Sequence, residues 1–300
     1  MSLLNLRSFT EVYRRRSISA AARNLGLTQP AVSGHIASLE VQIGRDLFVR
    51  QPRGVSPTPF ADDLAAQLGD SLDRAEEALA KARARSTHLS GAVHIAGPAE
   101  LMAERVAPSL KSLQASGLDI RVHLGGKASL YEMLIGGSVD LAFTASTPEQ
   151  QQLSSAFVGS ETLVAVANPE ISRRMKASSG QEAELLSIPL LAYDTDLPLV
   201  RDWLASNAMD VKNFHPSITA PDLRLLRALV EKGAGWSVIP DYLCADGLAS
   251  GNMVQVEAPV VQPQNPFHLA WAKSALRHPR VAYARGVLLD SWTTTIAPVM

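Results

Sequence analysis

The stretch from Ser17 to Ile43, SISAAARNLGLTQPAVSGHIASLEVQI, constrains this chain most, because its apolar spacing fits two short helices joined by a tight turn. Ile18, Ala22 and Leu25 share one helical face, and Gly26 ends that helix. Val32, Ile36, Leu39 and Ile43 then recur at i, i+4, i+7 and i+11. Thr28 is placed to accept orphan amides as an N-cap, and Pro30 falls in the first turn, where its missing N–H removes no intrahelical bond. Upstream, Leu6, Phe9 and Tyr13 make a third apolar stripe, enough to close a small three-helix core. Gln29, Ser33 and His35 are left on the outer side of the second helix.

A helix with small polar residues at its exposed start suits the major groove, where N-terminal side chains meet base edges. Gln29 can bond adenine through two hydrogen bonds, the Pro30 ring can meet a thymine methyl, and Ser33 or His35 can reach bases or phosphates. A plain helical hairpin would carry the same apolar pattern, and the flanking charge argues against it. Residues 1–60 hold eight Arg, no Lys and three acids, a net +5 in a chain of net −1, so the remainder carries −6. Positive charge is thus confined to the end that would face phosphate. Leu47 to Thr58, LFVRQPRGVSPT, reads as a two-stranded wing turning at Gly54, with Arg50 and Arg53 placed for the DNA backbone or minor groove.

After the wing, one long helix is expected over Thr58 to Ser86. Ala61, Ala65, Leu68, Leu72, Ala75, Leu79 and Ala82 follow a heptad seam, opposite a charged face. This predicts a dimerising linker centred on Leu68, Leu72 and Leu79, although a helix packed on its own domain would show a similar Ala-rich stripe. From Ser90 onward strands alternate with helices: AVHIA (92–96), DIRVHL (119–124) and DLAFT (140–144), then 162–167, 188–193, 217–220, 236–239 and 267–273, with a last helix near 280–292. The first three strands, with helices near 101–115 and 129–135, imply a parallel sheet with right-handed crossovers.

The N-terminal region resembles the LysR-type transcriptional regulators. The residues that carry the resemblance are Phe9, Val12, Ser17, Ser19, Ala21, Ala22, Leu25, the run Thr28 to Ser33, Ile36, Leu39, Glu40, Gly44, Leu47, Phe48, Arg50, Arg53, Val55 and Thr58, in fixed spacing without a gap. Gly34 departs from the family, many of whose members carry a long polar or basic residue there, and Phe60-Ala61 replaces the usual Ala-Gly. Looser motifs, GSVDLAF and GAGWSVIP, extend the resemblance to the rest of the chain. It implies an α/β protein overall, with a winged helix-turn-helix over 1–58, a linker and dimerisation helix over 59–89, and an effector-binding domain over 90–300. That domain would be two α/β lobes of periplasmic-binding-protein type, lobe I about 90–161 and 266–300, lobe II about 162–265. The implied partners are double-stranded operator DNA, a small-molecule effector and a second copy of the chain, as a dimer or tetramer, and RNA polymerase is admitted as a further contact.

In such two-lobed folds a ligand sits at the carboxyl ends of the strands, between the lobes. The residues expected there are Ala99, Glu100, Lys127, Ser129, Thr144, Ser146, Asp194, Thr195 and Asp222. Gly97-Pro98-Ala99-Glu100 stands where family members commonly offer Ser or Thr, so hydroxyl donors are missing and an acid is added. Glu100 either complements a helix dipole or pairs with a cationic ligand group, while Lys127, Ser129, Thr144 and Ser146 would suit an anion.

Enzyme motifs fail on the same residues. GGKAS (125–129) has Arg121 where a phosphate loop needs its first Gly, and GWSVI (235–239) lacks the second Gly of a nucleophile elbow. The seven His are scattered without metal spacing, and Cys244 is the one cysteine, so neither a zinc site nor an internal disulfide is expected, nor any cofactor. Cys244 sits in an apolar stretch and reads as a buried thiol rather than an oxidant sensor. With no apolar run near the roughly 20 residues a membrane span needs, the chain reads as cytoplasmic. A ligand-independent DNA-binding regulator, whose α/β domain serves only assembly, is the alternative. A solute-binding or catalytic protein with a borrowed helical arm is a third reading.

Overall fold

The computed structural model describes residues 3–52, 54–68, 71–84, 89–175, 181–257 and 261–295. Arg53, expected to contact DNA, and 85–86, the end of the expected linker helix, lie outside the described residues. Helices α1 (Leu3–Arg15), α2 (Ile18–Leu25) and α3 (Gln29–Ile43) open the chain. Ser17 and Thr28 cap α2 and α3, accepting from the Ala20 and Ala31 amides at 3.2 and 3.3 Å. Gly26, at φ 64°, reverses the chain between them in the left-handed region that glycine tolerates. Phe9, Val12, Ala21, Val32 and Leu39 are completely buried together.

The wing is the antiparallel pair β1 (Phe48–Gln51) and β2 (Gly54–Pro57), with Arg50 opposite Val55. Gly54 opens β2 rather than forming the turn, and the reason is a close approach. A Cβ there would sit 2.4 Å from the Arg16 carbonyl oxygen, which also accepts the Val55 amide at 3.0 Å. Glu40 accepts from the Leu47 and Phe48 amides at 2.8 and 3.3 Å, fixing where the wing leaves α3.

The linker is described as α4 (Pro59–Leu68) and α5 (Ser71–Ala84), and its apolar stripe divides between partners. Ala61, Leu64, Ala65 and Leu68 pack against the three-helix core, so the apolar character of Leu68 is used inside the chain. Segment α5 lies against the C-terminal helix of lobe I and the short 3-10 turn before it. Arg14 pairs with Asp73, and the Tyr13 hydroxyl donates to Asp62 at 2.8 Å, tying α1 to both linker segments. Leu72 is half-buried, while Ala75 and Leu79, the latter 54% exposed, are positions of the expected seam that face outward.

Lobe I begins with β3 (Ala92–Gly97), α6 (Ala99–Leu101), a π-helical turn (Met102–Val106), α7 (Ala107–Ala115), β4 (Asp119–Leu124), α8 (Lys127–Gly136) and β5 (Leu141–Thr144). Strand β3 pairs in parallel with β4 and with β5, as the alternation predicts. The chain then enters β6 (Leu153–Ala167), of which the sequence pattern reveals only the second half. Its first half, LSSAFVGSE, becomes a strand by pairing antiparallel with β11 (Gln264–Ala272), over 100 positions away. Between them lie the elements of lobe II: α9 (Pro169–Met175), α10 (Gln181–Leu186), β7 (Leu190–Ala192), α11 (Pro198–Ser206), a 3-10 turn (Val211–Asn213), β8 (Pro216–Thr219), α12 (Leu223–Glu231), β9 (Ser237–Pro240), α13 (Asp241–Ala249) and β10 (Val254–Gln255). After β11, a 3-10 turn (Lys273–Arg277) and α14 (Pro279–Thr295) return to lobe I.

The strand order β10-β6-β11-β5-β3-β4, with β9 also on β6, runs through both lobes. Among the described residues β3–β4, β3–β5 and β7–β8 pair in parallel, while β6 meets β9, β10 and β11 antiparallel. In lobe I, Val93, Ile95, Leu141, Phe143 and Leu269 pack under α14. In lobe II, Trp203, Phe214 and Trp236 cluster on one face of β6, and Val164, Val166, Leu226 and Ile239 on the other. Trp236 is fully buried and donates Nε1–H to the Leu185 carbonyl at 3.1 Å. Trp236→Ala is therefore expected to cost lobe II about 3–5 kcal/mol, read as an early urea transition in tryptophan fluorescence ahead of the lobe I transition.

Candidate functional site

Two regions gather the functional side chains. At the N-terminal end, α3 begins with Thr28, Gln29 and Pro30 all exposed, because its apolar face is fully engaged with α1 and α2. Arg50 is exposed on β1, and Ser33 is partly exposed on the first turns of α3. His35 also has a partner within the module. Its Nδ1 lies 2.8 Å from the Oγ of buried Ser8, so the half-buried ring bridges α3 to α1. Thr28 has its hydroxyl engaged as the cap, leaving Gln29 and Pro30 as the outermost groups of the helix start.

The second region lies where the lobes meet, and four expectations are changed there by internal bonding. The Thr144 hydroxyl donates to the Ser146 carbonyl at 2.7 Å and is 1% exposed, while Ser146 Oγ and the Tyr131 hydroxyl are 2.9 Å apart. Ser129 Oγ donates to the Gly126 carbonyl at 3.0 Å. These hydroxyls build their loops and are not free donors for an anion. Asp222 caps α12 and holds Arg224 through both carboxylate oxygens, which lowers its pKa. Asp194 accepts from the Asp196 amide at 2.8 Å, and Ala99, Lys127 and Thr195 line the same loops with Lys127 and Thr195 exposed.

What the structure brings together instead is a set of acids and tyrosines. Glu100, at the start of α6, is 6% exposed, and burial raises its pKa, with Asp222 adding to the rise. Tyr193, just after β7, has its pKa raised by burial and then by the negative charges of Glu100, Asp194 and Asp222. A Cβ at Gly126 would come 3.4 Å from the Tyr193 hydroxyl, so the lobe I loop reaches lobe II there. Deeper, on β6, Glu161 is 4% exposed and its pKa is pushed up to about 8, first by burial, then by Asp241 and Glu100, against a partial offset from Asn265 and Arg105. Tyr242 on α13 is raised by burial and by Glu161 and Glu100, and Arg105 stacks over its ring at 4.7 Å.

Glu161, Tyr242 and Arg105 are absent from the sequence reading. The one available signal for Glu161 was an acid separated only by Thr162 from the apolar run LVAVA, in a segment whose first half does not look like a strand. Scattered His residues also turn out to include a pair: His94 Nδ1 and His123 Nε2 are 2.9 Å apart on neighbouring strands β3 and β4, rings stacked. Among the described residues no group of three or more potential ligands could hold a metal. Cys244 is fully buried, donates to the Pro240 carbonyl, and burial pushes its thiol up to about 12. A separate recess of about 510 Å³ lies at the seam between α1, α4 and lobe I, lined by Tyr13, Arg14, Leu68 and Lys273 among others. Its lining belongs to the joint between α1, the linker and lobe I.

Known proteins resemble the chain at both ends of its length. Residues 3–62 match the model of the bacterial regulatory helix-turn-helix protein, lysR family, and residues 86–293 match the LysR substrate binding domain. The HTH-type transcriptional regulator AbaB of Streptomyces antibioticus is 36% identical over 95% of this chain and 96% of its own length. The full-length regulator LysG of Corynebacterium glutamicum, solved with bound effector Arg, aligns at TM-score 0.64 and 17% identity over 98% of this chain and 99% of that one. CrgA of Neisseria meningitidis, a LysR-type transcriptional regulator, aligns at TM-score 0.60 and 20% identity over 97% and 99%. The relatives are named transcriptional regulators, and no helix among the described residues is long and apolar enough to cross a membrane.

The raised pKa of Glu161 has a stability consequence. A carboxyl whose folded pKa lies above its unfolded value stabilises the fold fully only below the unfolded pKa, and that contribution drains away as pH rises through the folded one. With a folded value of about 8, the wild-type chain should lose stability relative to Glu161→Gln between roughly pH 4.5 and pH 8, and the gap should then level off. Thermal melts of the two proteins across that range check it, and parallel curves would refute it.

Proposed function

The chain belongs to the LysR family of DNA-binding transcriptional regulators that carry an effector-binding domain, and on that footing we propose how its own residues divide the work. Gln29, Pro30 and Ser33 read bases in the major groove, and Arg50, with Arg53, sets the wing on the phosphate backbone. The observation that carries this reading is the fully exposed start of α3, at the one end of the chain with net positive charge. His35 acts as a strut between α3 and α1 through Ser8.

The two lobes bind a small effector at their junction, near Glu100, Asp194 and Asp222 on opposing loops. An effector that fits one lobe angle better than another shifts the population toward that angle, and only to the extent of its preference. The linker then passes the change on: α5 rests on α14 and the 3-10 turn of lobe I, and is joined to α1 by Arg14 and Asp73. The domains work as a winged module over 1–58, a linker over 59–89 and the two lobes over 90–300. The chain functions as a cytoplasmic homodimer or tetramer without catalytic activity or cofactor, and RNA polymerase is a partner at the promoter.

A second copy has a surface to meet. Leu79 faces outward on α5, and β4 closes one end of the main sheet with Val122 and Leu124 46% and 58% exposed. An open apolar edge strand of this kind is ordinarily covered. Two modules held at fixed separation read two half-sites and multiply specificity.

Gln29→Ala should cost about 1–3 kcal/mol on the true operator and relax its sequence preference. Arg50→Ala should weaken operator and random DNA alike and reduce the salt slope by about one unit. Titrations on both DNAs at several salt concentrations separate the two roles, and equal losses for Gln29→Ala on specific and random DNA would remove it from base reading. Leu79→Asp, at a position exposed in the single chain, should shift sedimentation toward monomer without lowering the melting temperature of each subunit's lobes, and an unchanged oligomer would place the contact elsewhere.

A further inference from the structure

We infer that the cleft between the lobes takes an effector with a cationic nitrogen group, an ammonium, amidine or guanidinium, whose counter-charge is Glu161 with Glu100 beside it. This rests on the reading of the lobes as an effector site and adds the chemical class.

The argument starts from an unsatisfied atom. Glu161 is 4% exposed, its Oε1 accepts from the Asn265 amide at 2.7 Å, and its Oε2 is buried with no hydrogen-bond partner. A buried acceptor without a donor costs free energy that a bound donor recovers, and the cost is larger when the acceptor is a carboxylate. Glu161 stands where β6 crosses from lobe I to lobe II: positions 153–162 pair with β11, and 163–166 pair with β9. The charges that act on it come from Glu100 on α6, Arg105 in the π-helical turn and Asp241 at the start of α13, and α13 packs directly against β6. Groups of both lobes thus act on it.

Arg105 offsets the charge of Glu161 only in part and makes no ion pair with it. No basic side chain forms an ion pair with Glu100 or Glu161 among the described residues. Arg105 lies over the face of Tyr242, and Arg224 is held by both oxygens of Asp222. The hydroxyls that would have favoured an anion, on Thr144, Ser146 and Ser129, are spent on their own loops. Glu100, Asp194 and Asp222 add negative charge around Tyr193 at the mouth of the same junction. An anionic ligand would meet repulsion from several carboxylates in a low-dielectric site. A cation would gain a charge-assisted hydrogen bond to Oε2. Because burial keeps Glu161 largely protonated near neutrality, with its pKa at about 8, a cation that binds there displaces that proton, and its affinity rises with pH up to about that value.

The test uses the full chain and compounds matched in shape but not in charge. Putrescine, L-lysine and L-arginine serve as cationic probes, butanediol, L-norleucine and L-citrulline as neutral counterparts, and succinate and benzoate as anions. The expected result is that at least one cationic probe raises the melting temperature while its neutral counterpart does not. Calorimetry in two buffers of different ionisation enthalpy should then show proton release on binding, and Glu161→Gln should weaken that probe by about tenfold or more. Since Glu161→Gln is expected to fold at least as well as the wild type, a loss of binding in it is not a loss of fold, and Glu100→Gln gives a second, smaller effect. Stabilisation by a neutral compound or an anion without any by a cation overturns the cationic class and leaves the effector site standing, as does a cation response that survives Glu161→Gln. No stabilisation by any probe of any charge overturns the inference together with the effector reading beneath it.

Discussion

Two antiparallel strands, β6 and β11, hold the effector region together, because each belongs to both lobes at once. Strand β6 gives nine of its first ten positions to β11 and its next four to β9, so its first half is sheet with lobe I while its second half carries the lobe II cores on both faces. A lobe cannot rotate without bending these strands where they cross. The register shift between Phe267 and His268 on β11 lies close to that crossing, and such irregularities are where strands bend. The lobes themselves are packed too tightly to absorb the motion: Trp203 and Trp236 are fully buried in one, Phe143 and Leu141 in the other. Movement is thereby concentrated at the junction where Glu161 sits.

The winged module depends on a different set of ties. Its core is small and is completed by α4, whose Ala61 is fully buried and whose Leu64 and Leu68 cover α1. The guanidinium of Arg277, in the 3-10 turn of lobe I, donates to the Asn24 carbonyl at the end of α2, while buried Glu11 gathers Arg15 and Asn24. The DNA-reading module is therefore in polar contact with lobe I of its own chain as well as with the linker. Polar contacts of this kind are easier to exchange than an apolar interface, which suits a joint that has to change with ligand and DNA.

How much of this was legible in the sequence follows from the range of the interactions. The three helices, the cap at Thr28 and the reversal at Gly26 are set by neighbours within four residues, so local pattern captures them, whereas the Ser17 cap emerged only in the structure. The strand from 153 to 161 was invisible because its pairing partner lies over 100 positions away and its own residues, SSAFVGSE after Leu153, carry no strict alternation. For the same reason His94 and His123 appeared unrelated along the chain, although neighbouring parallel strands place them in contact. The heptad seam was real as a pattern. Its meaning was only partly recoverable, since a stripe of Ala and Leu does not declare whether it faces a core, a lobe or a second chain, and here Leu68 and Leu79 differ. At the candidate site, Glu100, Asp194 and Asp222 were named from loop position. The hydroxyls of Thr144 and Ser146 were read as donors for a ligand because sequence cannot show that each had already found a partner at home.

Cys244 has a practical bearing on how such a protein can be watched. It is the one sulfhydryl in the chain, it is fully buried, and its proton is held until about pH 12. Thiol reagents attack the thiolate of accessible cysteines, so at neutral pH this chain presents them with almost nothing to modify. The natural protein is therefore a nearly blank background for site-specific labelling. A pair of cysteines introduced at exposed positions on opposite lobes would carry fluorophores or spin labels without removal of the native thiol, and the distance between them would report lobe closure directly.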